Sequence, residues 1–285
     1  MKEIVINKEL KWLDFLSPTE NDLQNLKENF DFHPIVLEEL FQPSARGKVE
    51  TYDDYIYIVA HLPNYDPQMR SSREAEIDIL ATPKVLITVH YEKLEPLEQF
   101  HQFILNEKLQ NHLINTGQLV YYLLGEINKF SLRQLRHIEE NVKKINENLF
   151  KDRERELLEE ISYVKRDLAA FGIIVRLQQN ILESLLESGP AFWGEKMKIY
   201  FTDVLGDHSR VLHNLDNLKE TLDAFEQTNS QLLNFKTNEV MKLFTILAFL
   251  TFPIIIFISI FQTDIGNRFF QMRQNRGSRK RTGAD

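Results

Sequence analysis

The sequence contains no cysteine and has only ten glycines and nine prolines among its 285 residues. Without cysteine the chain forms neither a disulfide bond nor a thiolate metal site. The glycine-rich phosphate loop, the GxSxG serine motif and the HExxH zinc motif are also absent from the sequence. We therefore expect no catalytic residue and no organic cofactor, and an enzyme is the least favoured class of function.

The charge is unevenly distributed along the chain. The net charge is −8, yet residues 262–285 contain six basic and only two acidic side chains. An acidic body is a poor partner for nucleic acid, whereas dense carboxylates suit divalent cations. Residues 1–12 lack the apolar stretch of a signal peptide, so we expect the N-terminal part to stay in the cytoplasm.

One long apolar run lies near the C-terminus, where residues 243–261 (LFTILAFLTFPIIIFISIF) contain no charged side chain. A helix rises about 1.5 Å per residue, so about 20 apolar residues cross the ~30 Å hydrocarbon core of a bilayer. The remainder of the chain is strongly charged. The pattern predicts a largely soluble protein that one transmembrane helix anchors in a cell membrane.

Residues 1–116 are predicted to form a cytosolic α/β domain. Ser17 and Glu20 have the spacing of a capping box and predict the start of a helix, and His33-Pro34 predicts the start of another. Runs dense in β-branched and aromatic residues predict strands at residues 4–6, 55–61, 76–80 and 85–90. Together with the helices that follow, these elements predict an α+β fold class.

Residues 117–194 are predicted to form a long helical hairpin with a junction near residues 151–153 and a break at Gly189-Pro190. A stalk helix is predicted over residues 195–242, and no breaker separates it from the transmembrane helix over residues 243–261. The two together give a helix of about 65 residues, followed by a basic tail of atypical sequence over residues 262–285.

The stalk has apolar side chains at alternating steps of four and three residues, the spacing of a heptad seam. The seam positions are Val211, Leu215, Leu218, Leu222, Phe225 and Leu232, with Asn229 in the gap. A helix this long is not stable alone, so it must pack on other helices of its own chain, on copies of itself, or on both.

Two places in the sequence are candidates for cation binding. Glu38 and Glu39 lie on the short helix after His33-Pro34, and Asp203 lies near the start of the stalk. Mg²⁺ prefers carboxylate and water ligands, although acidic residues on helix faces are more often simply solvated. The eight histidines are scattered, and we expect them to be structural rather than zinc ligands.

Three sequence blocks follow one another with characteristic spacing over about four-fifths of the chain. They are residues 33–40 (HPIVLEEL) continuing to 48–55 (KVETYDDY), residues 200–204 (YFTDV), and residues 237–246 (TNEVMKLFTI) leading to Phe252-Pro253. In the order and spacing of these blocks the chain resembles the CorA family of magnesium and cobalt transporters.

The resemblance implies a homopentamer with a cytosolic α/β/α funnel domain, a long stalk helix and a first membrane helix that lines the pore. It implies Mg²⁺ as the transported ion, with Co²⁺ as an alternative, and Mg²⁺ as a regulatory ligand between subunits. The regulatory positions would be Glu38, Glu39 and Asp203, with Glu39 standing where the family often has aspartate. The implied pore-lining positions are Asn238, Met241 and Thr245.

The resemblance is lost after Phe261. There the family has a Gly-Met-Asn signature and then a second membrane helix, whereas this sequence continues with Gln262, Thr263 and Asp264 and a basic segment. Basic residues favour the cytoplasmic side of a membrane, which conflicts with a tail on the outer side. We therefore expect a truncated or frameshifted family member whose conduction is impaired.

The leading hypothesis from the sequence is a divalent cation transporter subunit gated by cytosolic Mg²⁺, whose partners are its own copies, the bilayer and divalent cations. The alternative is a membrane-anchored coiled-coil scaffold or metal-sensing interaction protein that does not transport. The residues leave Mg²⁺, Co²⁺ and Zn²⁺ open as the ion, and leave the direction of transport open.

Overall fold

A computed structural model describes residues 1–44, 46–105, 110, 112–151 and 153–278. It divides into two compact units, Met1–Gln227 and Thr228–Asp285. This division falls within the predicted stalk helix. The segment boundaries at residues 116, 194, 242 and 261 stay predictions.

A mixed sheet forms the centre of the first unit, in the spatial order β1-β2-β6-β5-β4-β3. Its strands are β1 (Lys2–Val5), β2 (Lys11–Leu16), β3 (Lys48–Thr51), β4 (Ile56–Asp66), β5 (Ser71–Ala81) and β6 (Val85–His90). Strands β2 and β6 pair in parallel and the other neighbours are antiparallel. Strand β2 was not predicted from the sequence, and it brings the N-terminal segment into the sheet beside β6.

Helices cover both faces of the sheet. The helices α1 (Glu20–Asn29) and α2 (Pro34–Glu39) pack on one face, where Tyr57 and Leu80 are fully buried. The helix α3 (Glu95–Ile104) and the long helices pack on the other face, where Ile58 and Ile79 are fully buried. Alternate residues of a strand point to opposite faces, so β4 and β5 supply both cores. This α/β/α layering and the long helices confirm the predicted fold class.

The start of α1 differs from the prediction. Thr19, not Ser17, is the N-cap, and Asp22 rather than Glu20 completes the capping box by accepting from the Thr19 backbone N–H at 2.9 Å. Ser17 has a φ of 48° and its hydroxyl donates to the carbonyl of Tyr91 at 3.0 Å. The hydroxyl of Ser17 is therefore used to join the loop to the end of β6.

Three long helices follow, namely α4 (Thr116–Asn148), α5 (Glu154–Trp193) and α6 (Met197–Ser278). The predicted break at Gly189-Pro190 is wrong, because Pro190 lies inside α5 and the helix ends at Gly194, whose φ is 100°. Glycine adopts this backbone conformation without strain and is the usual residue after a helix end. Gly189 serves instead for close packing, since a Cβ there would lie 2.5 Å from the ring of Phe201.

The heptad seam is used within the chain. Val211, Leu215 and Leu222 are buried in one core with apolar residues of α4 and α5, and Leu218 and Phe225 pack against that core. A helix that buries an apolar stripe is stabilised mainly by that packing. Of the possibilities that the sequence left open, packing on the chain's own helices is observed.

Helix α6 does not end at Phe261 but continues to Ser278. Pro253 lies inside it, and no proline follows Pro253 in the sequence. Among the described residues, α6 is the one helix long and apolar enough to cross a membrane, and none of its apolar window is buried within the chain.

Candidate metal-binding and pore residues

Glu38 and Glu39 lie in the last turn of α2. The helix begins where the sequence predicted, with His33 as N-cap accepting from the Ile35 N–H at 3.3 Å and with Pro34 in the first turn. Val36 and Leu37 are buried against the sheet, which leaves Glu38 exposed and Glu39 half-buried. The two carboxylates are adjacent in sequence but differ in surroundings.

Glu39 is paired with a lysine of its own chain. Lys48 Nζ lies 2.7 Å from one carboxylate oxygen of Glu39, 3.0 Å from the other, and 3.1 Å from Glu50. Burial alone would lower the pKa of Lys48, but the hydrogen bonds to Glu39 and Glu50 outweigh burial and raise it. A cation that binds Glu39 must therefore compete with a fixed ammonium group.

Asp203 lies exposed near the N-terminal end of α6. Its Oδ2 accepts a hydrogen bond of 2.7 Å from the Tyr121 hydroxyl of α4, and burial and this bond raise the pKa of Tyr121. The aromatic ring of Tyr121 packs edge-on against that of Tyr200, one turn before Asp203. Tyr121 thus fixes one oxygen of Asp203, and this positioning role was not apparent from the sequence.

The next acidic residue on α6 has a local partner. Asp207 lies one turn after Asp203 and pairs with Arg210 at 3.0 Å. The adjacent His208 is fully buried, and its Nε2 donates to the Val175 carbonyl at 2.8 Å. Burial lowers the pKa of His208, which fits a structural histidine.

One chain does not bring the three predicted metal ligands together. Glu38 and Glu39 belong to the layer that covers one face of the sheet, and Asp203 belongs to the layer on the other face. In the described part of the chain, no group of three or more His, Asp or Glu side chains is arranged to hold a metal ion. A site using all three would need more than one copy of the chain.

The predicted pore-lining residues lie on α6 in the second unit. Asn238, Met241 and Thr245 are exposed, and steps of three and four residues place them on one face of the helix. The Thr245 hydroxyl donates to the Met241 carbonyl at 2.9 Å. Since its hydroxyl is bonded to its own helix, Thr245 adds little polarity to an otherwise apolar surface.

A buried acidic cluster beneath α2 was not predicted. Asp78 accepts hydrogen bonds from Tyr57 at 2.8 Å and from Tyr91 at 2.9 Å, and burial, with the nearby charge of Glu76, raises the pKa of Asp78 to about 7. The Glu76 carboxylate oxygen Oε2 lies 2.9 Å from Nε2 of His61, within hydrogen-bonding distance. Burial opposes a charged imidazole, but Glu76 and Glu74 outweigh that effect and raise the pKa of His61.

The comparison with known families places the chain in one class. The family described as "CorA-like Mg2+ transporter protein" matches residues 7–261. This match covers most of the chain, so the chain belongs to the CorA-like Mg²⁺ transporter family. It is therefore a divalent cation transporter of the cell membrane with a cytoplasmic N-terminal domain, and not an enzyme.

Curated relatives agree with this assignment. The chain is 22% identical to the "Cobalt/magnesium transport protein CorA" of Thermotoga maritima over 251 residues, which is 85% of this chain and 70% of the relative. It is 21% identical to the protein of the same description from Methanocaldococcus jannaschii, over 83% of this chain and 74% of that protein. A "Putative metal ion transporter YfjQ" of Bacillus subtilis is 22% identical over 85% of this chain and 75% of its own length.

Solved structures share the fold. The complete structure of the CorA magnesium transporter from Methanocaldococcus jannaschii superposes with a TM-score of 0.74 at 21% identity, covering 87% of this chain and 78% of that chain. The full-length CmaX protein superposes with a TM-score of 0.66 at 15% identity, covering 86% and 75%. The family match ends at residue 261, where the resemblance in the sequence also ends.

Proposed function

We propose that the chain forms a homopentameric Mg²⁺ pore, and that Mg²⁺ bound by Glu38, Glu39 and Asp203 between neighbouring copies holds the pore closed. The observation that carries this proposal is the exposed carboxylate of Asp203, oriented by Tyr121 and located on the helix that also contains the apolar span. Mg²⁺ keeps most of its waters and is commonly bound through one or two carboxylates. Such a site is completed by a second copy.

The three acidic residues should contribute unequally. Lys48 already compensates the charge of Glu39, whereas Glu38 and Asp203 are exposed. Facing carboxylates on adjacent copies repel each other, and a divalent cation between them removes that repulsion. Mg²⁺ shifts the population toward the closed state only to the extent that it binds the closed state more tightly than the open state. We therefore assign the main regulatory role to Asp203 and Glu38, and a smaller role to Glu39.

The regulatory site is tested by protection from proteolysis in the detergent-solubilised full chain. Mg²⁺ should slow the digestion of the wild-type assembly, and Asp203→Lys should abolish much of that effect. Glu220→Lys is the matched control, because Glu220 is exposed on the same helix and undergoes the same charge reversal. Equal protection in Asp203→Lys and the wild type would contradict the assignment.

Transport is tested by Mg²⁺ uptake into proteoliposomes, with a cobalt hexammine cation as blocker because it mimics hydrated Mg²⁺. Gln262, Thr263 and Asp264 stand where the family has Gly-Met-Asn. We expect weak uptake by the wild type, and faster, hexammine-sensitive uptake after Gln262→Gly, Thr263→Met and Asp264→Asn together. Absence of uptake in both proteins would favour the membrane-anchored scaffold.

The scaffold has less support than transport. A coiled-coil partner would need the heptad seam, but residues of that seam are buried against the chain's own α4 and α5. Asn238 and Met241, in contrast, are exposed on a helix face that a pore would require. An amide ring at the cytosolic end of a pore would contact hydrated ions.

A further inference from the structure

A cavity of about 520 Å³ lies between α3 and the sheet at the β1–β2–β6 side, away from Glu38, Glu39 and Asp203. Asp14 of β2 and His90 at the end of β6 line it from the sheet, and Glu98 and His101 line it from α3. Asp14 and His90 are only 8% and 5% exposed. Two buried polar side chains therefore face this cavity.

The Asp14 carboxylate is fixed by a chain of hydrogen bonds. The Trp12 indole N–H donates to Thr88 Oγ1 at 2.9 Å, and Thr88 Oγ1 lies 2.6 Å from Asp14 Oδ1. Because an indole only donates, the Thr88 hydroxyl proton is directed to Asp14. A carboxylate oxygen has a second lone pair, so Asp14 Oδ1 keeps the capacity to bind another group.

The orientation of the His90 ring is also fixed. His90 Nδ1 lies 2.6 Å from the Glu92 carbonyl oxygen, which only accepts, so Nδ1 has the proton. In the neutral ring, Nε2 then has a free lone pair, and among the described residues it makes no hydrogen bond. It lies 3.3 Å from Asp14 Oδ1. Two lone pairs would repel at that distance, so either a proton on Nε2, which makes an ion pair, or a metal cation lies between the two atoms.

We propose that His90 Nε2 and Asp14 bind a divalent transition-metal cation such as Zn²⁺ in this cavity, with water at the remaining positions. Ligand atoms about 2.0–2.1 Å from a tetrahedral Zn²⁺ lie about 3.4 Å apart, close to the separation of 3.3 Å found here. A second bond from the ligating histidine to a backbone carbonyl is the usual way in which its tautomer is fixed. The Thr88 bond to Asp14 supplies the same support for the carboxylate.

The ligand set distinguishes this site from the Mg²⁺ sites of the proposed function. An imidazole nitrogen suits Zn²⁺ or Co²⁺, whereas Mg²⁺ prefers oxygen alone. Lys2 and Lys93 also line the cavity, but both are exposed at its rim, where solvent and salt weaken their repulsion of a cation. The site would thus let the cytoplasmic domain respond to a transition metal independently of Mg²⁺.

The test is Zn²⁺ binding to the full chain in detergent, measured by titration calorimetry. His90→Asn keeps a donor for the Glu92 carbonyl and removes Nε2, and Asp14→Asn keeps an acceptor for Thr88. Loss of a supporting bond alone costs about 10–100-fold in metal affinity, so loss of either ligand should weaken Zn²⁺ binding at least ~10-fold.

The control variant is His213→Asn, at an exposed histidine of α6, which should bind Zn²⁺ as the wild type does. Excess Mg²⁺ should not displace the Zn²⁺.

A plain His90–Asp14 ion pair binds no Zn²⁺, so the absence of binding to the wild type would overturn the proposal. Unchanged affinity in His90→Asn would overturn it equally. If that variant does not fold, anomalous scattering at the zinc edge from crystals of the wild-type chain decides the question. A peak within bonding distance of His90 Nε2 and Asp14 supports the site, and zinc bound only elsewhere overturns it.

Discussion

At the scale of single residues, partners within the chain decide what each acidic side chain can do. Lys48 occupies Glu39, Tyr121 orients Asp203, and two tyrosine hydroxyls hold Asp78 in the buried cluster. An exposed carboxylate is available to a cation, whereas a buried one without a compensating charge takes up a proton more readily. The three carboxylates therefore have different chemistry although the sequence presents them alike.

The buried cluster should make stability depend on pH. The pKa of Asp78 is raised to about 7, so between about pH 4 and 7 the folded chain keeps a proton that the unfolded chain releases. The raised pKa of His61 acts in the same direction, because its stabilisation is present at low pH and lost as pH rises through the folded value. The free energy of unfolding of the first unit should thus fall as pH rises across this range.

Asp78→Asn should make that dependence shallower. The amide keeps an acceptor for Tyr57 but does not titrate, so the contribution of Asp78 is lost while those of His61 and of the buried Asp167, whose pKa burial also raises, remain. The measurement is the thermal unfolding midpoint of the detergent-solubilised chain from pH 4 to pH 7.5, compared with Asp53→Asn at an exposed position. A slope unchanged from the wild type would show that Asp78 is not the group responsible.

At the level of the helices, glycine residues determine how closely two helices can approach. Gly189 lets the end of α5 contact the fully buried Phe201 of α6, and Gly194 supplies the backbone conformation that ends α5. Gly125 of α4, by comparison, faces open space, since a Cβ there would meet no described atom within 4 Å. The same residue type thus has a packing role at one position and none at another.

Gly189→Ala should destabilise the first unit. The new Cβ would lie 2.5 Å from the Phe201 ring, and overpacking of this kind typically costs about 1–3 kcal/mol. Gly125→Ala should instead stabilise by up to ~1 kcal/mol, because alanine favours a helix interior over glycine. Denaturant unfolding followed by circular dichroism compares the two. Equal stability of Gly189→Ala and the wild type would mean that α5 and α6 separate there without cost.

At the scale of the whole molecule, the two units differ in how their apolar surface is covered. Met1–Gln227 buries its own apolar side chains on both faces of the sheet and within the helical bundle. The apolar window of α6 is not buried within the chain. A helix exposed in this way is stable only where lipid or other helices surround it. Its backbone N–H and C=O groups bond to each other within the helix, as the water-free interior of a bilayer requires.

A charge in the middle of the apolar run should impair membrane insertion. Ile254 lies about 160° around the helix axis from Asn238, so Ile254→Asp should not face the proposed pore. An Asp in place of Ile at the centre of a membrane helix costs about 3 kcal/mol on the insertion scale. The fraction of the chain that resists alkaline carbonate extraction should fall, and Gln231→Asp outside the run should leave it unchanged. Full resistance of Ile254→Asp would contradict a spanning helix.

Features that depend on neighbours along the chain could be predicted from the sequence. The apolar run, the strands at residues 55–61 and 85–90 and the start of α2 at His33-Pro34 are local patterns, because helix and strand periods reflect residues only a few positions apart. The family assignment rests on short blocks of this kind and on their order along the chain. The metal and pore residues taken from the resemblance stay predictions. Strand β2 was missed because its six residues lack a strong local signal and are held by pairing with β6.

Features that depend on residues far apart in sequence are visible only in the folded chain. Asp14 and His90 meet because β2 and β6 pair in parallel, and Lys48 reaches Glu39 because the start of β3 lies beside α2. Pro190 stays helical because packing against α6 outweighs a local preference for a break. Packing energy is summed over many contacts, so it overrides local propensities of up to about 1 kcal/mol for most residues and about 3 kcal/mol for proline. It also fixes side-chain neighbours that no short segment encodes.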